Sequence, residues 1–111
     1  MLFSDYNVNV TFEEGVLTAY IKGEVDHHNA VAARRRIDRE LEEKRPRELR
    51  LDLGGVNFMD SSGLGLILGR FSKASELGVE FSVTNPTPAT MKILNLAGGE
   101  RMINIVNSEV K

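Results

Sequence analysis

The chain has 111 residues, 41% of them hydrophobic, enough for one domain with a single two-layer core. With no Cys it forms no disulfide or thiolate metal site, and this suits a reducing compartment. A net charge of -2, few aromatics and no Trp argue against a nucleic-acid partner and its base-stacking platforms.

The N-terminus lacks a charged segment leading into a signal-type apolar run, and no apolar stretch nears the roughly 20 residues of a membrane span. The expectation is one soluble, cytoplasmic domain over residues 1–111, free of membrane and monomeric when unbound.

Tyr6, Val8, Val10 and Phe12 alternate with polar residues, a period-2 strand signal. Glu13-Glu14-Gly15 supplies a turn, with Gly for positive φ. Val16 to Lys22 is a second strand, apolar on both faces and therefore interior, paired with the first as a hairpin. Asp26 is an N-cap candidate for a helix from His27 to Lys44, whose Ala30, Ala33, Ile37 and Leu41 recur at helical spacing. Its other face carries Arg34, Arg35, Arg36, Arg39, Glu40, Glu42 and Glu43, with Arg36–Glu40 and Arg39–Glu43 as i,i+4 pairs. Such a mixed-sign run is read as a solvated face in preference to an anion site.

Pro46 ends that helix. Leu49, Leu51 and Leu53 mark a third strand from Glu48 to Leu53, broken by Gly54-Gly55, after which Val56 and Phe58 lead on. A second helix carries Leu64, Ile67, Leu68, Phe71 and Leu77 as its apolar stripe, and Gly78 stops it. Val79, Phe81 and Val83 form a fourth strand. Thr87 as N-cap and Pro88 at the first position open a short third helix, with Met91, Leu94 and Leu96 towards the core. Gly98-Gly99 ends it, and Met102, Ile103, Ile105 and Val106 suggest a last strand. The order β-β-α-β-α-β-α-β implies an α/β fold: a mixed sheet with an N-terminal hairpin, then parallel βαβ units joined by right-handed crossovers and packed with helices. The pattern leaves open whether helices cover one face or both.

The chemistry concentrates in Phe58-Met59-Asp60-Ser61-Ser62-Gly63-Leu64-Gly65, between the third strand and the second helix. Asp60, Ser61 and Ser62 are all N-cap types, so a structural cap is one reading. Gly63, Gly65 and Gly69 each cost a helix about 1 kcal/mol relative to Ala, which points beyond stability. They would let another surface approach the backbone, with packing on the sheet as the alternative for Gly69. As a dinucleotide loop the glycine spacing is wrong, the third Gly standing one residue late. A nucleophile elbow needs Gly-x-Ser-x-Gly, and neither serine has it. A His–Ser–Asp arrangement using His27 or His28 is imaginable, because both helices start at the same edge of the sheet. Asp26 with the two histidines invites a metal reading, which adjacent positions on a helix oppose. A seryl hydroxyl at a helix N-terminus is also a place where a phosphate is tolerated. The residues alone leave cap, nucleotide loop and phosphorylation switch open.

The motif, together with Gly23-Glu24-Val25-Asp26-His27-His28 and Ile67-Leu68-Gly69-Arg70, resembles the STAS family of anti-sigma factor antagonists over nearly the whole chain. The Gly-Glu-x-Asp-His-His element is similar to the sporulation type. The resemblance implies a non-enzyme without a cofactor of its own. Its unphosphorylated form would bind an anti-sigma factor that is a serine kinase carrying ADP or ATP, releasing the sporulation sigma factor. The serine directly after the motif Asp, here Ser61, would be phosphorylated, and a PP2C-type serine phosphatase would reverse this. The implied docking surface is Asp26, His27, His28, Asp60, Ser61, Ser62, Gly63 and Leu64, with Asp26 facing a partner Arg or Lys and Ser62 as the cap residue. The terminal helix of relatives would be short or missing here. Two rivals stand beside this reading: a STAS module of another stress or nucleotide-sensing pathway, and a small serine hydrolase.

Overall fold

The computed structural model describes residues 7–107. The strand start at Tyr6 and the short or missing terminal helix lie outside the described residues. Along these run β1 (Val8–Glu13), β2 (Val16–Val25), α1 (His27–Lys44), β3 (Glu48–Met59), α2 (Ser61–Leu77), β4 (Glu80–Thr84), α3 (Pro88–Leu96) and β5 (Asn104–Val106), with a 3-10 turn at Gly99–Arg101. The sheet order is β1-β2-β3-β4-β5; β1 is antiparallel to β2, and the remaining neighbours are parallel. This is the expected mixed α/β fold. Glu14 and Gly15, both at positive φ, make the two-residue hairpin loop.

Strand order decides where the helices go. Each crossover adds its strand on the same side of the last one, so right-handed connections put α1, α2 and α3 on one face. Leu17, Ala19 and Ile21 of β2, Leu49, Leu51 and Leu53 of β3 and Val83 of β4 meet Ile37, Leu41, Leu66, Ile67 and Leu94 there. The opposite face is polar, a hollow of about 250 Å³ lined by Tyr20, Arg50, Asp52 and Thr84 among others. The second face of β2 is accordingly not apolar packing: Tyr20 is exposed.

Gly54-Gly55 does not break β3. The strand runs on to Met59, and β2 runs on to Val25, because the pair absorbs irregularities instead of ending. Tyr20 pairs with Asp52 and Lys22 with Gly55; Gly23 pairs with Val56 and Glu24 with Phe58. Each step gives β3 one extra residue. A Cβ on Gly55 would stand 2.8 Å from Lys22 Cβ, so the close approach needs glycine. The extra residues re-aim the strand: burial passes from Leu53 to Val56 to Met59, and Phe58 is left 49% exposed.

The caps follow their sequence signals. Asp26 accepts a hydrogen bond from Asn29 N (3.0 Å), Thr87 caps α3 ahead of Pro88, and Gly78 ends α2 in the left-handed region. The apolar stripe of α2 is wider than expected, because the helix packs on the sheet and on α1 at once. Leu66, Ile67, Arg70 and Ala74 are buried, with Leu64, Leu68 and Phe71 packed beside them; Phe71 meets Phe81 edge-on at 5.9 Å. Leu77, expected in the stripe, is 52% exposed at the helix end. Leu96 is 78% exposed, because it lies two residues past buried Leu94 and so points about 200° around the helix. Met102 lies outside β5 and is exposed.

Candidate functional site

Because β2 and β3 are parallel neighbours, Val25 and Met59 end them side by side. The next residue of each strand is an aspartate, and each aspartate starts a helix. Asp26 caps α1, and Asp60 caps α2 by accepting from Ser62 N at 2.8 Å. The cap of α2 is therefore Asp60 and not Ser62, whose own N–H is the capped donor. Asp60 N donates to Val25 O (3.3 Å), which ties the start of α2 to that of α1, and Asn29 Nδ2 donates to Glu24 O (2.8 Å), which fastens α1 to the end of β2. Two helix N-termini, each with its partial positive charge, open on one edge.

Ser61 is the first residue of α2 and is exposed, while Ser62 is half-buried. His27 and His28 are the exposed first residues of α1. Leu64 is half-buried against the core, and Gly63 is buried. The structure thus brings Asp26, His27, His28, Asp60, Ser61 and Ser62 to one edge, with Gly63 and Leu64 beneath it. The core beneath that edge requires Gly63 to be glycine. A Cβ on it would collide with Met59 Cγ and stand 2.8 Å from Met59 Sδ, so the glycine answers to its own core. Gly65 and Gly69 differ, for a Cβ on either would meet nothing within 4 Å. The packing role on the sheet kept for Gly69 is therefore absent.

A groove of about 200 Å³ runs from this edge between the helices, lined by His27, Ala30, Val31 and Arg34 on α1 and by Ser62 and Gly65 on α2. Val31 and Arg34 stood outside the motif, and exposed Phe58 stood in it without a role. Phe58 was legible only as part of a period-2 run, whose phase the two irregularities change. The groove needs the packing of α1 on α2, which no local pattern encodes.

Among the described residues no hydrogen bond joins His27 or His28 to Ser61 or Ser62, and the Asp60 carboxylate is engaged by the helix end it caps. The base–nucleophile geometry of a serine hydrolase is not assembled. Among the described residues no three His, Asp or Glu side chains gather as a metal site. No helix among them is long and apolar enough to cross a membrane.

Comparison with known proteins agrees with this architecture. The STAS domain family matches residues 7–111. An anti-sigma F factor antagonist of Paenibacillus polymyxa is 32% identical over 103 residues, 93% of this chain and 88% of that protein. The structure of the anti-sigma factor antagonist SpoIIAA in its unphosphorylated form superposes with a TM-score of 0.80 at 22% identity, over 92% of this chain and 88% of that one. The phosphorylated form of SpoIIAA, a Bacillus cell fate determinant, superposes at 0.75 and 22% identity, over 92% and 91%. Two capped helix starts side by side, a serine exposed on the second of them, and a match that runs through the whole described chain make this protein a member of the STAS domain family, of the anti-sigma factor antagonist kind.

Proposed function

We propose that this chain is a non-enzymatic switch that frees a sporulation sigma factor by binding the anti-sigma factor that holds it. The partner is a serine kinase carrying ADP or ATP, and it phosphorylates Ser61. A PP2C-type phosphatase restores the binding form. The observation that carries this reading is the position of Ser61: exposed, first in α2, directly after the capping Asp60. A kinase needs an accessible hydroxyl, and a helix N-terminus tolerates the resulting anion. The γ-phosphoryl group moves from ATP to Ser61 Oγ, ADP leaves, and the kinase takes the hydroxyl proton.

The new charge of about -1.5 to -2 falls beside the carboxylates of Asp26 and Asp60 on a surface the partner must desolvate. The fold tolerates it and the interface does not. Asp26, His27, His28, Asp60, Ser62, Gly63 and Leu64 surround the serine as contact or support, and Asp26 pairs with a partner cation.

Incubation with the cognate kinase and ATP, followed by peptide mass spectrometry, should place one phosphate on Ser61. Ser61→Ala should abolish it. Ser61→Asp should weaken kinase binding by about tenfold or more with an unchanged cooperative melt. Full phosphorylation of Ser61→Ala would overturn the assignment.

A further inference from the structure

In sequence α1 looks charge-balanced: Arg34, Arg35, Arg36, Arg39 and Lys44 against Asp38, Glu40, Glu42 and Glu43. The fold separates these charges. Asp38 turns to Arg70 of α2 (3.0 Å), and Glu42 reaches Lys73 of α2 (3.3 Å). Glu40 is shared by Arg36 (3.1 Å) and Lys44 (3.6 Å). Among the ion pairs of the described residues, none includes Arg34, Arg35 or Arg39, and the expected Arg39–Glu43 pair is not made. All three arginines are exposed.

These cations are contiguous with the Ser61 edge. Arg35 and Arg39, with His27, His28 and Val31, line a shallow hollow of about 460 Å³ along the outer side of α1. Arg34 borders the α1/α2 groove, also with His27 and Val31. Both hollows begin at the first residue of α1.

The stripe makes no ion pair among the described residues. Arg35 and Arg39 are a like-charge i,i+4 pair, which weakens a helix. Burial holds the Arg70 guanidinium below its ordinary range, Asp38 pulls it back up, and Arg34 pushes it down again. Arg34 thus adds repulsion to a buried cation.

We propose that the Arg34–Arg35–Arg39 stripe is the second half of the docking surface and takes a carboxylate-rich segment of the protein that docks at the Ser61 edge. This rests on the anti-sigma partner reading of that edge. A protein is favoured over a polyphosphate or an anionic bilayer by the neighbouring charges. Glu24, Asp26 and Asp60 stand at the adjoining edge and would repel a uniformly negative ligand. A folded partner presents both signs, cations to the aspartates and carboxylates to the guanidiniums.

The test is stopped-flow association with the kinase that phosphorylates Ser61, at about 50 mM and about 300 mM NaCl. Wild type should slow by about tenfold between the two salts. The triple variant Arg34→Gln/Arg35→Gln/Arg39→Gln should associate about tenfold more slowly at low salt and lose most of the salt dependence. Arg34→Glu/Arg35→Glu/Arg39→Glu should be slower still. If the Glu variant fails to melt cooperatively, the Gln variant decides. Association of the Gln variant at the wild-type rate would overturn the proposal while leaving the partner reading intact. So would an arginine-dependent wild-type affinity for phosphatidylcholine/phosphatidylglycerol vesicles or duplex DNA with kinase association unchanged. Failure of wild type to associate at either salt would remove the partner reading itself.

Discussion

Gly63, Gly65 and Gly69 share one helix and answer to different constraints. Gly63 faces buried Met59, whose Cγ and Sδ occupy the space a Cβ would take. Gly65 and Gly69 face open space. Gly63→Ala gains helix propensity but overpacks the core, and should lower stability by about 1–2 kcal/mol. Gly65→Ala should raise it by about 1 kcal/mol, since it relieves a helical glycine and meets no atom. Urea denaturation of the two variants checks this; shifts of the same sign would remove the distinction. Sequence showed that three helical glycines are costly. It did not show which one the core demands, because Met59 reaches Gly63 only after β3 has been displaced by its extra residues. The two serines separate for a similar reason. Both are N-cap types, yet the cap falls on Asp60, leaving Ser61 outward and Ser62 at the groove.

Between elements, α1 and α2 are joined by a buried cation. Arg70 is 6% exposed and stands 3.0 Å from Asp38, with its N–H not aligned on the carboxylate, so the contact is Coulombic and not a directed hydrogen bond. Removing one partner of such a pair strands the other charge away from water. Asp38→Ala should cost about 2–3 kcal/mol, moderated because Asp38 is partly exposed. Arg70→Met, which removes the charge and keeps the volume, should cost less than about 1 kcal/mol. Thermal melts of both variants decide; a costlier Arg70→Met would mean that the guanidinium holds the helices by more than its pairing. Arg70 appeared in the sequence as one residue of a family-like run, and helical periodicity gave it no buried place. Only the packing of α2 against α1 and the sheet puts it inside.

At the scale of the whole molecule, the strands stand in sequence order, so no two crossovers diverge. In open α/β sheets ligand crevices form where the strand order reverses, and β2 to β5 have no such point. The isolated chain should therefore show no saturable binding of ATP or ADP in equilibrium dialysis. Saturable binding would revive the nucleotide-sensing alternative. Hairpin, crossover helices and caps were legible in the chain because each has a local cause: alternation, a 3.6-residue stripe, an aspartate or threonine before it, a glycine after it. The placement of the functional edge was only half legible. The Asp60-Ser61 turn could be picked out by composition, and parallel topology put Asp26 on the same side. The sequence by itself determined the element order, the caps of α1 and α3 and the two serine candidates. Tertiary structure alone decided that all helices cover one face, that β2 and β3 run past their glycines to end together, and that the acids of α1 turn towards α2 while three arginines remain outside. The reason is physical: periodicity records which face of an element is buried, whereas the partner of a charge and the neighbour of a glycine depend on what is packed against that face.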